Sequence, residues 1–315
     1  MIGVMKTLFF AVVMTLISSR AFAQTAAVDA SLATPTGHEM NVTLGSYTYI
    51  EPGTLRISLD GIKIGGEYTG ALLLGKRQRW FAQANVRGTI GNVTYAGWCL
   101  PWLITPDRTS PNGYALDLGD ASPCGETGDR DWYVEARALI GRDFIGHKWG
   151  WSPYTGLGLR HLSNGTTGTA GYRTDNYLYP PFGLTAHTKV ASHSALSFNL
   201  EYDRLIRGWQ ETRNSKLGGG DIPPTTTAPG FTINGITDIS FAQHAGWALR
   251  ASAKYQLTHR WSVQPYYVHW SVSASPVNYQ TATFTVNNVT AHEQFGAFEP
   301  FNVTKEFGVK LGFHF

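Results

Sequence analysis

This 315-residue sequence is short of charge: Asp, Glu, Lys and Arg make up 15% of it, against about a quarter in an ordinary soluble domain. Long apolar runs are missing too. After residue 23 no stretch approaches the roughly 18 to 20 apolar residues that a membrane-spanning helix needs, which excludes a helical membrane protein. Basic clusters are absent. The net charge is +3 with Lys and Arg scattered, so no nucleic-acid partner is expected. Cysteine occurs twice, at Cys99 and Cys124, and no histidine spacing completes a zinc site with them.

What the chain has instead is glycine and aromatic residues: 35 Gly, 10 Trp, 15 Tyr and 16 Phe. Low charge and many aromatics without an apolar run suit an all-β transmembrane antiparallel barrel, whose strands alternate lipid-facing and lumen-facing residues. Residues 1–23 read as a signal peptide: Lys6 supplies the positive start, Leu8 to Ile17 a short apolar stretch, and Ala21-Phe22-Ala23 a small-x-small cleavage site. Residues 24–38 read as a flexible periplasmic lead-in, and 39–315 as the barrel.

Period-two alternation marks the strands. Trp80, Ala82, Ala84, Val86 and Ile90 alternate with Gln83, Asn85, Arg87 and Thr89. Leu196, Phe198, Leu200 and Tyr202 alternate with Ser197, Asn199, Glu201 and Asp203. Ten strands are expected, over 39–50, 58–74, 80–96, 129–145, 152–163, 172–190, 195–210, 241–257, 261–275 and 302–315, with eight or twelve as the alternatives. The ninth carries two competing registers, Trp261 and Val263 against Val268, Trp270 and Val272, with Pro265 between them as a candidate bulge. Connectors alternate between short (75–79, 146–151, 191–194, 258–260) and long (97–128, 211–240, 276–301), as periplasmic turns and outer loops do. The stretch 211–229 reads as a mobile outer loop. Trp80, Trp98, Trp132, Trp209, Trp247, Trp261 and Phe315 fall near strand ends, where interfacial girdles form. Cys99 and Cys124 share one outer loop in an oxidising compartment, so a disulfide is expected.

The lumen face carries Lys63, Glu67, Arg87, Glu135, Arg137, Glu201, Asp203, Arg250, Lys254 and Lys310. In a narrow barrel these should pair and fill the interior; a narrow, porin-like ion path is the functional alternative. His161 and Ser163, two residues apart, share a strand face with Leu157 and Leu159, and Asn176 shares one with Leu178 and Phe182. All three should face lipid. A His that activates a Ser hydroxyl, oriented by a third polar group, is the logic of a hydrolytic triad.

Four resemblances bear on these residues. The ending Phe307, Val309, Leu311, Phe313, Phe315 resembles the terminal strand of outer-membrane barrels, which implies a Gram-negative outer-membrane location and recognition of Phe315 by the barrel insertion machinery. The stretch His161-Leu162-Ser163-Asn164-Gly165, followed by Asn176-Tyr177-Leu178-Tyr179, resembles the catalytic region of outer-membrane phospholipase A. That resemblance implies His161 as base, Ser163 as nucleophile, Asn176 as the group orienting the His, and a use of calcium. It covers about twenty residues, needs a one-residue insertion, and belongs to a twelve-stranded family. The same segment, as Gly158-Leu159-Arg160-His161-Leu162 and Tyr172-Arg173 through Pro180, resembles an uncharacterised group of outer-membrane barrel proteins in which it is an ordinary hairpin. Asp129-Arg130-Asp131-Trp132 resembles the acidic pair of omptin proteases, but the Asp-x-His pair those enzymes require does not occur. The expected function is therefore a non-catalytic barrel with a structural, surface-interaction or narrow-pore role, needing no cofactor. A lipid ester hydrolase is the alternative and a protease a remoter one. The expected partners are outer-membrane lipid and lipopolysaccharide.

Overall fold

The computed structural model describes residues 30–75, 79–165, 172–191, 194–216 and 218–315. The expected signal peptide and the loop 166–171 lie outside these. Ten long strands close into an antiparallel barrel: β1 (Gly37–Glu51), β2 (Ile57–Leu73), β3 (Trp80–Cys99), β4 (Ser122–Arg142), β5 (Trp149–Gly165), β6 (Tyr172–Tyr179 and Pro181–Ala191), β7 (Ser194–Arg204 and Arg207–Arg213), β8 (Ile239–Gln243 and Gly246–Gln256), β9 (Trp261–Val272) and β10 (Asn302–His314). Each pairs with the next in sequence; in β8 the section Gly246–Gln256 pairs with β9, while the outer section Ile239–Gln243 pairs only with β7 within the barrel sheet. The first and last strands meet in register from Glu39↔His314 to Ile50↔Val303, which closes the cylinder. Closure removes the exposed edges that an open sheet would present to lipid.

Alternation sorts the side chains. Val42, Leu44, Ile62, Ile64, Leu157, Leu200 and Phe307 are exposed on the outer wall, while Thr43, Lys63, Arg160, Glu201 and Glu306 are buried inside. A soluble protein places these classes the other way round. An apolar exterior around a polar interior is the arrangement that lipid selects. Trp80, Trp149, Trp151, Trp261 and Phe313 ring the end that carries the short turns and the chain ends of β1 and β10. Trp132, Trp209 and Trp247 mark the other end. Trp98 does not join that girdle. It lies eighteen residues beyond Trp80 on β3, roughly 45 Å along the tilted strand axis, in the upper hairpin opposite Pro123.

β9 holds a single register, so the bulge expected at Pro265 is absent. Trp261, Val263 and Pro265 face out; Tyr266, Val268, Trp270 and Val272 face in. The apolar residues change parity along this strand because the lumen itself turns apolar here: these four residues pack with Tyr177, Tyr179, Leu205 and Ala248 in an internal core.

The outer loops fold. Gly220–Ile222, Phe231–Ile236, Asn278–Val286 and Val289–Ala297 form a four-stranded sheet, and Trp102–Pro106 pairs with Tyr114–Leu118 in a hairpin. The turn between Val286 and Val289 is Asn287-Asn288, both at positive φ (49° and 65°), the backbone a two-residue hairpin requires and Asn tolerates. One face of this sheet buries Phe231, Ile233, Ala282, Phe284, Val286 and Ala291 against Ile104 and Leu116 of the hairpin. The segment 211–229, expected as a mobile loop, supplies the edge strand Gly220–Ile222 of this head. The Cys99–Cys124 disulfide forms at the base of the hairpin.

Candidate functional site

Three regions gather chemistry. In the lumen, every charge expected to point inward meets an opposite one. Lys63 bonds Asp131, Arg87 bonds Glu306, Arg137 bonds Glu201 and Lys254 bonds Glu39; Lys310 Nζ lies 2.5 Å from Glu67. Arg250 is the hub: its two terminal nitrogens reach Glu135 at 2.8 and 2.6 Å, and its Nε reaches Asp203 at 2.6 Å. Tyrosines complete the network, with Tyr133 and Tyr266 hydroxyls donating to Glu306 at 2.7 and 2.6 Å. Arg160, which is not among the lumen charges expected from the sequence, stacks on the Tyr133 ring, 4.3 Å from its centroid. Such contacts pay for taking charge out of water only when both signs are present with good geometry. Lys63, Glu135, Glu201, Tyr47, Tyr133, Tyr179 and Trp270 are almost wholly buried, so side chains fill the middle of the barrel. A cavity of about 210 Å³ remains in the periplasmic half, bordered by Glu39, Glu67, His187, Lys254 and Thr34. Thr34 reaches Asp143 through its amide (3.3 Å) and hydroxyl (2.7 Å), and Leu32 beside it is buried. Residues 30–36 thus lie across the periplasmic mouth.

The Asp129–Asp131 pair also faces this lumen: both residues are buried, and Asp131 is bonded to Lys63.

The outer rim of the lumen holds Glu51, Glu299, Tyr49 and Arg173. Tyr49 Oη lies 2.9 Å from Glu51 and 3.1 Å from Glu299, and Arg173 reaches Glu51 at 2.9 Å. Glu299 belongs to the loop before β10. Burial pushes its carboxyl up to about 7, against the pull of Arg173, with Glu51 adding to the rise.

The third region is the lipid-facing end of β5 and β6. His161 and Asn176 stand directly opposite each other in the ladder, and His161 Nδ1 lies 2.7 Å from Asn176 Oδ1. Asn176 Nδ2 donates to the Trp209 carbonyl at 3.5 Å. The Trp132 ring leans on His161, 5.2 Å between centroids. Ser163 occupies the same face one pair further out, opposite Thr174 and beside Trp132. All three residues expected to form a triad are therefore on one half-buried outward patch, and two of them are joined. Among the described residues no hydrogen bond links Ser163 to His161. Residues two apart on a strand stand side by side, about 6.6 Å apart along the chain, and the ring must tip toward the hydroxyl to meet it. No three acidic or histidine side chains cluster as metal ligands among the described residues. Glu211, across from Thr174, is paired with Arg213 at 3.3 Å.

Closed strands, an apolar belt between two aromatic rings and a charged, filled lumen define an integral β-barrel protein of a Gram-negative outer membrane. No protein-family model and no curated protein matches the chain. Among solved structures it is similar to the outer membrane protease OmpT from Escherichia coli, at 12% identity over 90% of this chain and 98% of that one, with a TM-score of 0.49. It is also similar to the translocator domain of the autotransporter NalP from Neisseria meningitidis (12% identity, 91% of each chain, TM-score 0.32) and to the Pseudomonas putida toluene transporter TodX (9%, 89% of each, 0.31). At such identities these likenesses say nothing of what this barrel does.

Proposed function

We propose that the protein is a sealed barrel that acts at the cell surface through its folded outer head. The observation that carries this reading is the core shared by three outer loops: Ile104 and Leu116 from the first, Phe231 and Ile233 from the second, Ala282, Phe284 and Val286 from the third. Ordering long loops costs conformational entropy at every residue, and a barrel that only spans the membrane has no use for such a head. The paired lumen charges argue against conduction as the main task. The test has two arms. Purified protein in planar bilayers should give no steady conductance; a reproducible open channel would overturn the sealed-barrel reading. Barrels in fluorescent nanodiscs, applied to arrays of glycans and matrix proteins, should bind a subset of features. Phe284→Asp, which disrupts the head core, should abolish that binding while the barrel keeps its heat-modifiable shift on gels. Identical binding by Phe284→Asp would sink the surface reading.

A second reading has its own observation, the His161–Asn176 hydrogen bond on the lipid face. Nδ1–H donated to the amide oxygen leaves the Nε2 lone pair free to accept a proton. With Ser163 turned toward it, His161 would take the hydroxyl proton as the oxygen attacks an ester carbonyl of a lipid, and return it to the leaving alcohol; water, deprotonated by the same His161, would then attack the acyl-serine, releasing the fatty acid and restoring the Ser163 hydroxyl. Fatty-acid release from phospholipid micelles, with calcium and with chelator, decides this. Activity abolished by Ser163→Ala supports the hydrolase; no release by the folded wild type removes it.

A further inference from the structure

The outer wall carries a second polar patch, on β7 to β10, that neither reading uses. Arg204 pairs with Trp247 in the ladder, and His269 pairs with Lys305. The Trp247 and His269 rings lie 5.1 Å apart, and Tyr267 Oη lies 3.5 Å from His269 Nδ1. His269 and Lys305 are each eight residues from the periplasmic girdle, measured from Trp261 and Phe313, or roughly 20 Å along the tilted strands. That is the depth at which the hydrocarbon ends and the outer-leaflet head groups begin. Leu200 and Phe307, immediately below, are exposed to the acyl chains.

We infer that this patch binds the phosphate of an outer-leaflet lipid between Lys305 and Arg204, with Trp247 and His269 as the floor. The lumen cations Lys63, Arg87, Arg137, Arg250, Lys254 and Lys310 each meet a carboxylate. Among the described residues Arg204 and Lys305 have none. The outward carboxylate on the same row is Asp60, with Thr48 standing between it and Lys305 and no ion pair formed. A cation on the lipid-facing wall is costly unless it reaches the interface and an anion there. Two such cations flanking a Trp and a His are complementary in charge to a phosphorylated head group whose acyl chains lie along Leu200 and Phe307. The position commits the site to a lipid-borne phosphate: a free anion would have no reason to prefer a wall that faces acyl chains.

Native mass spectrometry of the intact protein in detergent tests this. The titrants are a diphosphorylated lipid A, the same lipid after phosphatase treatment, and inorganic phosphate. Removing one charge-assisted hydrogen bond to the phosphate should weaken binding about tenfold. Lys305→Ala is therefore expected to lower affinity for the phosphorylated lipid about tenfold, and Arg204→Ala with Lys305→Ala about a hundredfold. Lys305→Arg should keep it near wild type. The dephosphorylated lipid should bind all variants equally and weakly. Equal affinity of wild type and the double variant for the phosphorylated lipid overturns the site. Displacement by inorganic phosphate at the concentration of the lipid overturns the assignment to a lipid. All three variants change side chains on the outer wall, and the heat-modifiable shift shows that they are folded.

Discussion

Replacing Arg250 with Met should destabilise the barrel more than any other single change in the lumen. The guanidinium holds Glu135 through two bonds and Asp203 through a third, with Tyr179 Oη 3.2 Å away. Glu135 and Asp203 side chains are 2% and 0% exposed, so neither can turn to water once the cation is gone. Removing one partner of a buried ion pair costs about 3–5 kcal/mol. Two carboxylates are stranded here, and Arg137, bonded to Glu201, compensates only part; the loss should therefore fall near the upper end, about 5 kcal/mol. Guanidinium unfolding in detergent, followed by Trp fluorescence, measures it. The triple variant Arg250→Met, Glu135→Gln, Asp203→Asn should recover most of the loss, because neutral amides leave no uncompensated charge. Lys305→Met, on the outer wall, should change stability by less than about 0.5 kcal/mol. An Arg250→Met barrel within about 1 kcal/mol of wild type would refute the reasoning, since it would mean that water reaches these carboxylates and the lumen is not sealed.

Other perturbations follow from the same description. Cys99→Ser with Cys124→Ser reopens a loop of separation 25, worth about 3.5 kcal/mol of chain entropy; protease should then cut the upper hairpin faster while the barrel midpoint is unchanged, and a shifted midpoint would contradict the loop assignment. Glu299 has its folded value raised to about 7 by burial, so the folded state holds this proton more tightly than the unfolded chain, whose value is about 4.3. Stability at the rim is then present below about pH 4.3 and lost as the pH rises through 7. Hydrogen exchange around 298–301 should quicken from pH 6 to pH 8, and Glu299→Gln should flatten the difference; equal slopes in the two proteins would sink it. Deleting Phe315, whose amide bonds the His38 carbonyl at 3.0 Å and whose ring stacks on His38, should lower the yield of heat-modifiable barrel in the outer membrane more than deleting residues 24–33; equal yields would remove the special role of that residue.

Much of the barrel was legible because strands have a strict period. Trp80 to Ile90 and Leu196 to Tyr202 declare their two faces without help from tertiary structure, and the ten lumen charges follow from parity alone. Their partners do not. Arg87 meets Glu306 across 219 residues, a pairing set by strand order and tilt, which no local pattern encodes. β9 misled for a related reason: Val268, Trp270 and Val272 look lipid-facing until Tyr177 and Tyr179 are brought against them from β6. The head was hidden because its strands are short, and residues 281–286, Thr-Ala-Thr-Phe-Thr-Val, show an alternation that reads equally well as a stray segment of loop. At the lipid-facing patch, parity and resemblance together placed His161, Ser163 and Asn176 on one surface. The bond between His161 and Asn176 needed the register of β5 on β6, and the rotation of the Ser163 hydroxyl is a matter of side-chain conformation that sequence does not carry.

The common core of the outer loops bears on how this surface can vary. In a barrel with independent loops, each may lengthen, shorten or change its residues without consulting the others, which is how exposed segments escape recognition by antibodies and phages. Here a substitution at Phe231 alters the packing of Phe284 and Ile104, which lie in two other loops. Variation is thereby steered away from the apolar face and toward the opposite one, where Thr232, Asn234, Thr283 and His292 project into solvent, and toward the turn at 107–113, which joins the two flanking strands of the hairpin. That turn is where a foreign epitope could be inserted with the head left standing.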